Sequence, residues 1–299
     1  MCRKPECAPE PAPFRTVAVF GPGLLGGSIA KAVSQAMPQC ELRLWARREQ
    51  PLALARELGI TQDTYLDPRQ AAQGADLIIL ATPIGVFEDL SRRMLPAISP
   101  QAVVTDVGSV KAYVHRTTGA MFTERGRIFI GSHPMAGAEK QGLEHARAEL
   151  LQGATVALTN PHGAPEEAVA RLARFWQGLG CSTYAMGPEE HDQTVARISH
   201  MPHILAGLAA RNAAGGQAPA MEHLRRLASS GFRDTTRVCT GGPAMLVDIL
   251  WENDVAVRRV LKECVEDLHL LIRLLESQDK ESVRAWLEQA RAAKTSIMP

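Results

Sequence analysis

The hydrophobic pattern divides the chain into two parts. Short apolar runs alternate with amphipathic stretches from residue 15 to about residue 185, and long helical patterns follow from about residue 188. The apolar runs predict strands at 16–20, 42–45, 76–81, 102–106, 127–131 and 154–159. The stretches between them predict helices at 24–37, 86–95, 109–122 and 165–179. Strands that alternate with helices indicate a parallel sheet with helices on both faces.

The second part of the chain predicts a domain built of helices alone. Its helical patterns cover 188–214, 221–228, 243–276 and 280–293. The sequence MGPEEHD marks the predicted boundary, since Pro188 suits the first turn of a helix. We therefore expect a Rossmann-type doubly wound α/β domain at 15–186 and an all-α substrate and dimerisation domain at 187–299. The proline-rich residues 1–14 predict a disordered tail.

One helical stretch is apolar on more than one face. The sequence ISHMPHILAGLAA, at 198–210, has few positions suited to open solvent. A helix that is apolar nearly all round must be buried, either inside one chain or between two chains. We predict a homodimer formed through the helical domain, and a bundle closed within one chain is the alternative.

Composition and charge narrow the range of partners. The 299 residues include 45% hydrophobic and 22% charged residues, and 33 Lys and Arg stand against 32 Asp and Glu. This near-neutral balance gives no electrostatic reason to expect nucleic acid or an anionic membrane as partner. No apolar run reaches the roughly 18 residues of a membrane-spanning helix. The six cysteines have no metal-ligand spacing, so we expect a cytoplasmic protein with reduced thiols and no metal.

A glycine motif follows the first predicted strand. The sequence VAVFGPGLLGGSIA places Gly21, Gly23 and Gly26 in a G-x-G-x-x-G pattern that opens a predicted helix. This context is typical of a dinucleotide site, and an ordinary glycine-rich turn is the alternative. Gly21 would form the tight turn, Gly23 would admit the pyrophosphate, and Gly26 would let the helix pack on the strand. Leu24 and Leu25 would open the helix whose N-terminus faces the phosphates.

The end of the second predicted strand bears on the choice of cofactor. An acidic residue there would bind the adenine ribose hydroxyls and favour NAD. The chain has Ala46, Arg47 and Arg48 instead, and two guanidinium groups suit a 2′-phosphate. Glu49 is an acid in a poor position for the ribose. We therefore expect NADP as cofactor, with NAD as the alternative.

Two further loops should meet at the same edge of the sheet. The sequences ATPIGV and TDVGSVK each follow a predicted strand, and loops at the carboxyl ends of parallel strands form the ligand crevice. Thr82 and Pro83 should face the nicotinamide half of the cofactor. Asp106, Ser109 and Lys111 are placed to contact cofactor or substrate, although each of them could serve only as a helix cap.

Five motifs together resemble one enzyme family. GPGLLGGS, DVGSVK, GSHPMAGAEKQG, HDQTVARISHMPH and SGFRDTTR occur in this order and resemble the prephenate/arogenate dehydrogenases of tyrosine biosynthesis over about residues 15–275. The resemblance implies an NAD(P)-dependent oxidoreductase. Its reaction would be the oxidative decarboxylation of prephenate to 4-hydroxyphenylpyruvate, or of arogenate to tyrosine, with hydride transfer to the nicotinamide.

The resemblance implies catalytic roles for residues of two of these motifs. His133 would accept the proton of the ring 4-hydroxyl as the hydride leaves. Ser109 would hydrogen-bond the same hydroxyl or orient the imidazole of His133. Glu139 corresponds to an acid at the mouth of the active site. A loop histidine without a chemical role is the alternative for His133.

The resemblance also implies a set of substrate-binding residues. Arg237 corresponds to the arginine that pairs with the ring carboxylate, and Arg233 is a second candidate in the same motif. His200 and His203 lie three residues apart and would share one face of a helix. They would point toward the substrate side chain and the carboxylate-binding arginine, although paired histidines on an apolar helix are often only buried and hydrogen-bonded.

Two alternative functions and one ambiguity remain. A 3-hydroxyacid type of Rossmann dehydrogenase would carry a catalytic lysine on the inter-domain helix, but the chain has no lysine between residues 141 and 261. A non-catalytic NADP-binding sensor would need neither His133 nor Arg237. The choice between prephenate and arogenate stays open, because Leu246 and Ser230 depart from residues common in the family.

Overall fold

The computed structural model describes residues 12–138, 140–215 and 219–298. Most of the predicted tail therefore lies outside the described residues. The tail prediction is wrong for Phe14, which is buried and packs edge-on against the ring of Phe175 at a centroid distance of 6.0 Å. The guanidinium of Arg171 lies 4.5 Å from the centroid of the Phe14 ring. Apolar burial and this cation contact fix the start of the first domain.

Six parallel strands form the central sheet, and its spatial order is β3-β2-β1-β4-β5-β6. The strands are β1 (Thr16–Phe20), β2 (Glu41–Trp45), β3 (Thr64–Tyr65), β4 (Leu77–Leu80), β5 (Val103–Asp106) and β6 (Ile128–Phe129). This order is the one that the Rossmann fold uses, so the predicted doubly wound sheet is confirmed. The pattern did not predict β3, which is only two residues long.

Helices cover both faces of the sheet. They are α1 (Leu24–Ala36), α2 (Glu49–Glu57), α3 (Pro68–Ala72), α4 (Phe87–Met94), α5 (Ala112–Val114), α6 (Ala120–Thr123) and α7 (Glu166–Gly178). Alternate residues of β1 enter different cores, since Val17 belongs to the apolar cluster that contains Trp176 of α7, whereas Phe20 belongs to the cluster that contains Phe87 of α4. The two-residue period of a strand thus supplies a separate core to each face.

A second, three-stranded sheet continues the first domain. It consists of β7 (Gly131–Pro134), β8 (Thr155–Thr159) and β9 (Ser182–Ala185), with β7 antiparallel and β9 parallel to β8. The strand predicted at 127–131 is present as β6 but ends earlier than predicted, because the chain leaves the first sheet after Phe129 and enters the second sheet at Gly131. His133, which the sequence placed on a loop, lies in β7 opposite Ala157.

The second domain is helical, as predicted. Its helices are α8 (Pro188–Val195), α9 (Met201–Ala214), α10 (Met221–Leu227), α11 (Ser230–Thr236), α12 (Pro243–Glu252), α13 (Asp254–Glu276) and α14 (Lys280–Ile297). A π-helical turn at Ala196–His200 joins α8 to α9. The single helix predicted at 243–276 is wrong, because Asn253 interrupts it with a non-helical backbone (φ −114°, ψ 29°).

The helical domain packs directly on the sheet domain. Ile249 of α12 is buried in the same apolar cluster as Ile84 and Phe87, which places α12 beside the carboxyl ends of the parallel strands. Within the described residues, no helix combines the length and the apolar character needed to cross a membrane. The expectations of a cytoplasmic location and of no nucleic-acid partner stay predictions.

Candidate active site

A cavity of about 670 Å³ lies at the carboxyl ends of β1, β2 and β4. Its wall contains most of the predicted cofactor residues, namely Gly21, Gly23, Ala46, Arg47, Arg48, Thr82 and Pro83. The wall also includes residues that the sequence did not indicate, among them Asp89, Arg93 and Glu144. Ligands of open α/β sheets bind at this edge, where the strand order reverses.

The glycine motif has the geometry of a phosphate cradle. Gly23 precedes the first residue of α1, and within the described chain no atom lies within 4 Å of the place where its Cβ would be. A Cβ on Gly26 would collide with the carbonyl oxygen of Gly21. Gly26 is therefore required by the packing of α1 on β1, whereas Gly23 leaves open space at a helix N-terminus that attracts anions.

An unsatisfied hydroxyl in the cavity also fits a bound cofactor. The side chain Oγ1 of Thr82 is buried and has no hydrogen-bond partner among the described residues. A buried hydroxyl without a partner destabilises the fold by about 1–3 kcal/mol. The residues present therefore fit a dinucleotide, because a cofactor amide or ribose hydroxyl could supply the missing partner.

Charged side chains surround the part of the cavity next to β2. Arg47 and Arg48 are exposed on its wall, and Arg93 of α4 lines the same cavity. Glu49 forms an ion pair with Arg56. Asp89 and Glu144 are the acidic residues of the cavity wall.

Asp106 lies beneath the site and not on its surface. Its carboxylate is fully buried and pairs with the equally buried ammonium group of Lys111. Lys111 Nζ also donates to the carbonyl oxygen of Ser132 at 2.8 Å. Asp106 and Lys111 thus join the end of β5 to β7, and the structure does not bring the Asp106 side chain to the cofactor cavity.

His133 begins a chain of buried hydrogen-bonded side chains that crosses between the two domains. His133 is 8% exposed, and its Nδ1 lies 2.8 Å from Nε2 of His191 in α8. Nδ1 of His191 lies 2.7 Å from Oδ1 of Asp192. The Asp192 carboxylate also accepts hydrogen bonds from the backbone N–H groups of Lys111 at 2.7 Å and Ala112 at 2.9 Å.

The environment keeps His133 uncharged. Burial holds the pKa of its imidazole well below 6.5, and the neighbouring positive charge of Lys111 and the imidazoles of His191 and His200 act in the same direction. A neutral imidazole can accept a proton. His133 is thus in the protonation state that a general base requires at neutral pH.

His200 lies close to this chain of residues. Its Nδ1 lies 3.2 Å from Nδ2 of Asn253, and the same Nδ2 donates to the backbone oxygen of Asp192 at 2.8 Å. Burial lowers the pKa of His200 to about 4. Because the amide of Asn253 donates to Nδ1, the neutral ring carries its proton on Nε2. That buried Nε2 has no partner in the part of the chain that the structure describes.

The remaining predicted residues lie on neighbouring elements. Ser109 is half-buried just before α5, and His203 of α9 lies with its Nδ1 3.1 Å from the carbonyl oxygen of Ser199. Arg233 is exposed on α11. Arg237 is exposed at the start of a 3₁₀ turn, Arg237–Thr240, that packs against α9. Glu139 lies outside the described residues.

The fold and the site together define a class of protein. A dinucleotide cavity on a doubly wound sheet adjoins a helical domain, and a buried neutral histidine lies where the domains meet. These features are those of a two-domain, nucleotide-dependent dehydrogenase.

Comparison with known proteins identifies the family. Residues 29–185 match the family model described as prephenate dehydrogenase, nucleotide-binding domain, and residues 187–289 match the model described as prephenate dehydrogenase, dimerization domain. The chain therefore belongs to the prephenate dehydrogenase family, whose members are NAD(P)-dependent oxidoreductases. The predicted family is confirmed.

Individual relatives agree with this assignment over nearly their whole length. The chain is 30% identical to a cyclohexadienyl dehydrogenase of Zymomonas mobilis, covering 95% of this chain and 96% of the relative. A crystal structure of prephenate dehydrogenase from A. aeolicus in complex with hydroxyphenyl propionate and NAD+ superimposes with a TM-score of 0.86 at 26% identity, covering 95% and 98% of the two chains. The Synechocystis arogenate dehydrogenase structure gives a TM-score of 0.81 at 30% identity, covering 95% and 100%.

Proposed function

We propose that this protein catalyses the oxidative decarboxylation of prephenate or arogenate with hydride transfer to NAD(P)+. The observation that carries the proposal is the position of His133, neutral and buried where the dinucleotide domain meets the helical domain. An NAD(P)-dependent oxidation of a ring alcohol needs a base beside the nicotinamide end of the cofactor, and we assign that task to His133.

The chemistry follows from this placement. A bound nicotinamide supplies the hydride acceptor. His133 takes the proton of the ring 4-hydroxyl, the hydride leaves carbon 4, and the ring carboxylate departs as carbon dioxide as the ring becomes aromatic. General base assistance of this kind typically contributes about 10²–10⁴-fold to the rate. Ser109, half-buried before α5, would hydrogen-bond the same hydroxyl.

The substrate carboxylates would be held by the helical domain. His200 offers a buried Nε2–H group that lacks an acceptor among the described residues, and such a donor suits a carboxylate or carbonyl oxygen. Arg237 and Arg233 would supply the guanidinium groups for the ring carboxylate. His203, one helical turn after His200, would face the substrate side chain, and Glu139 would lie at the mouth of the site.

For the cofactor we propose NADP+ in preference to NAD+. Arg47, Arg48 and Arg93 line the cavity, and guanidinium groups bind a phosphate through paired hydrogen bonds. Glu49 is paired with Arg56 and does not offer its carboxylate to a ribose. This arrangement favours the additional 2′-phosphate of NADP+.

We further propose that the active form is a homodimer. The helix α13 exposes Val265, Leu268, Ile272 and Leu275, each between 46% and 58% exposed. These residues follow one another at intervals of three, four and three positions, the spacing with which helices pair along an apolar seam. A second copy of the helical domain is the proposed partner for this seam.

Replacement of His133 by asparagine tests the proposed chemistry. We expect kcat with prephenate or arogenate to fall by about 10²–10⁴-fold, because asparagine cannot accept the hydroxyl proton. The dissociation constant for NADP+, measured by calorimetric titration, should change less than about twofold. The exposed His269 of α13 provides a matched control, His269→Asn. Turnover of His133→Asn close to that of the parent protein would contradict the role of His133.

A further inference from the structure

The hydrogen bonds between His133, His191 and Asp192 determine which ring nitrogens carry protons. A carboxylate only accepts hydrogen bonds. Nδ1 of His191, at 2.7 Å from Asp192 Oδ1, therefore carries the proton of its ring. In the neutral ring, Nε2 of His191 is left as an acceptor.

The same logic extends to His133. Its Nδ1 lies 2.8 Å from Nε2 of His191, so it must donate to that acceptor. Nε2 of His133 is then the nitrogen with a free lone pair. This is the nitrogen that a base needs, and it is turned away from the bonded edge of the ring.

We propose that His191 and Asp192 are positioning residues that hold His133 with Nε2 unprotonated and stabilise the imidazolium that forms when it accepts a proton. This inference rests on the proposed function. As the substrate proton reaches Nε2, the Nδ1–H of His133 is drawn toward His191, and the Nδ1–H of His191 is drawn toward the Asp192 carboxylate. The substrate hydroxyl loses one proton to this chain of residues, and the phenolate oxygen that forms as carbon dioxide leaves takes one proton back, so the reaction releases no net proton.

The charges around His133 explain why its imidazolium needs to be stabilised. The titratable groups that act on His133 are His191, Lys111 and His200, with Asp192 bonded to His191 and Asp106 paired with Lys111. Lys111 opposes a second positive charge, but the carboxylate of Asp106 pairs with it directly. Asp192 is the remaining acid of this group. Its charge is therefore available to offset the imidazolium through His191.

A purely structural role for Asp192 is the competing explanation. Its two carboxylate oxygens accept hydrogen bonds from the backbone N–H groups of Lys111 and Ala112. Asp192 thus caps the N-terminus of α5 across the domain boundary. This cap does not require His191. Variants of His191 therefore separate the two explanations, and variants of Asp192 do not.

Two replacements of His191 form the kinetic test. His191→Gln offers an amide oxygen that can accept from His133 Nδ1–H, whereas His191→Phe offers no acceptor. We expect kcat to fall on the order of 10²-fold in His191→Phe. In His191→Gln the loss of kcat should be smaller by at least about tenfold. KM for the substrate should stay within about twofold of the parent in both variants. The acidic limb of kcat/KM should move to lower pH in His191→Phe, since the His133 imidazolium has lost its partner. Equal kcat in all three proteins, or equal losses accompanied by a raised KM, would overturn the proposal.

A spectroscopic readout tests the tautomers without turnover. In protein labelled with ¹⁵N-histidine at pH 8, long-range ¹H–¹⁵N correlation should show His133 and His191 both protonated at Nδ1, assigned by the signals lost in His133→Asn and His191→Gln. A proton on Nε2 of either ring would overturn the proposal whatever the activity. The predicted tautomers in a protein that oxidises neither substrate would instead contradict the proposed function.

Discussion

At the scale of residues, the site contains groups that spacing can indicate and groups that only three-dimensional contact reveals. The arginines at 47 and 48 follow from their distance to the glycine motif, because the Rossmann connection has a nearly fixed length. The contact between His133 and His191 joins residues 58 positions apart on different domains. No local pattern encodes such a pairing, and Asn253 and Arg93 were missed for the same reason.

Replacing Arg47 and Arg48 together by alanine tests the cofactor preference. We expect KM for NADP+ to rise at least about tenfold, since charged hydrogen bonds to phosphate contribute about 1.5–3 kcal/mol each. KM for NAD+ should change less than about twofold, because NAD+ has no 2′-phosphate. Arg174→Ala, at an exposed arginine of α7, serves as the control. A similar change for both cofactors in steady-state kinetics would contradict the proposed preference.

At the scale of elements, the sequence predicts long periodic segments well and short or interrupted ones poorly. The strands β1, β2, β4, β5 and β8 lie within about one residue of their predicted bounds, because short apolar runs mark them. The loop assigned to His133 was wrong because the segment pairs with β8, which makes it a strand. The break at Asn253 was missed because its cause is tertiary, namely the hydrogen bond to the Asp192 backbone.

The second and third glycines of the motif should respond differently to alanine. Gly23→Ala should unfold at the same temperature as the parent, because the added methyl group meets no atom of the described chain within 4 Å. Its dissociation constant for NADP+ should rise at least about tenfold, since the methyl group occupies space for the pyrophosphate.

Gly26→Ala should instead lower the free energy of unfolding by about 1–3 kcal/mol or more, because the methyl group collides with Gly21. Denaturant unfolding and calorimetric titration measure the two effects. A thermally unstable Gly23→Ala protein, or a Gly26→Ala protein as stable as the parent, would contradict the roles assigned to these glycines.

At the scale of the whole molecule, the two domains contribute different groups to the proposed site. The sheet domain provides the cavity and the proposed base, and the helical domain provides His191, Asp192 and the proposed substrate groups. The fold class and the helical domain were predictable, because the change from short apolar runs to long helical patterns occurs once along the chain. The packing of α12 beside Ile84 was not predictable from the sequence, since it depends on complementary surfaces and not on the period of the hydrophobic pattern.

The proposed homodimer gives a prediction about mass. Sedimentation equilibrium should report twice the 32.4 kDa of one chain. Leu268→Asp combined with Ile272→Asp should yield the mass of a single chain, because two carboxylates in an apolar seam are costly to bury. Leu66→Asp changes a similarly exposed leucine of the sheet domain, 52% exposed, and should leave the dimer intact. A parent protein with the mass of one chain would contradict the dimer.

The central claim concerns the reaction, and initial rates of reduced nicotinamide formation test it most directly. The purified protein would be supplied with prephenate or arogenate, each with NADP+ and with NAD+, and absorbance at the reduced cofactor band would be followed. We expect turnover of at least one of the two substrates, faster with NADP+, and loss of that turnover in His133→Asn. Absence of turnover in all four combinations would contradict the proposed reaction, and faster turnover with NAD+ would contradict the cofactor preference alone.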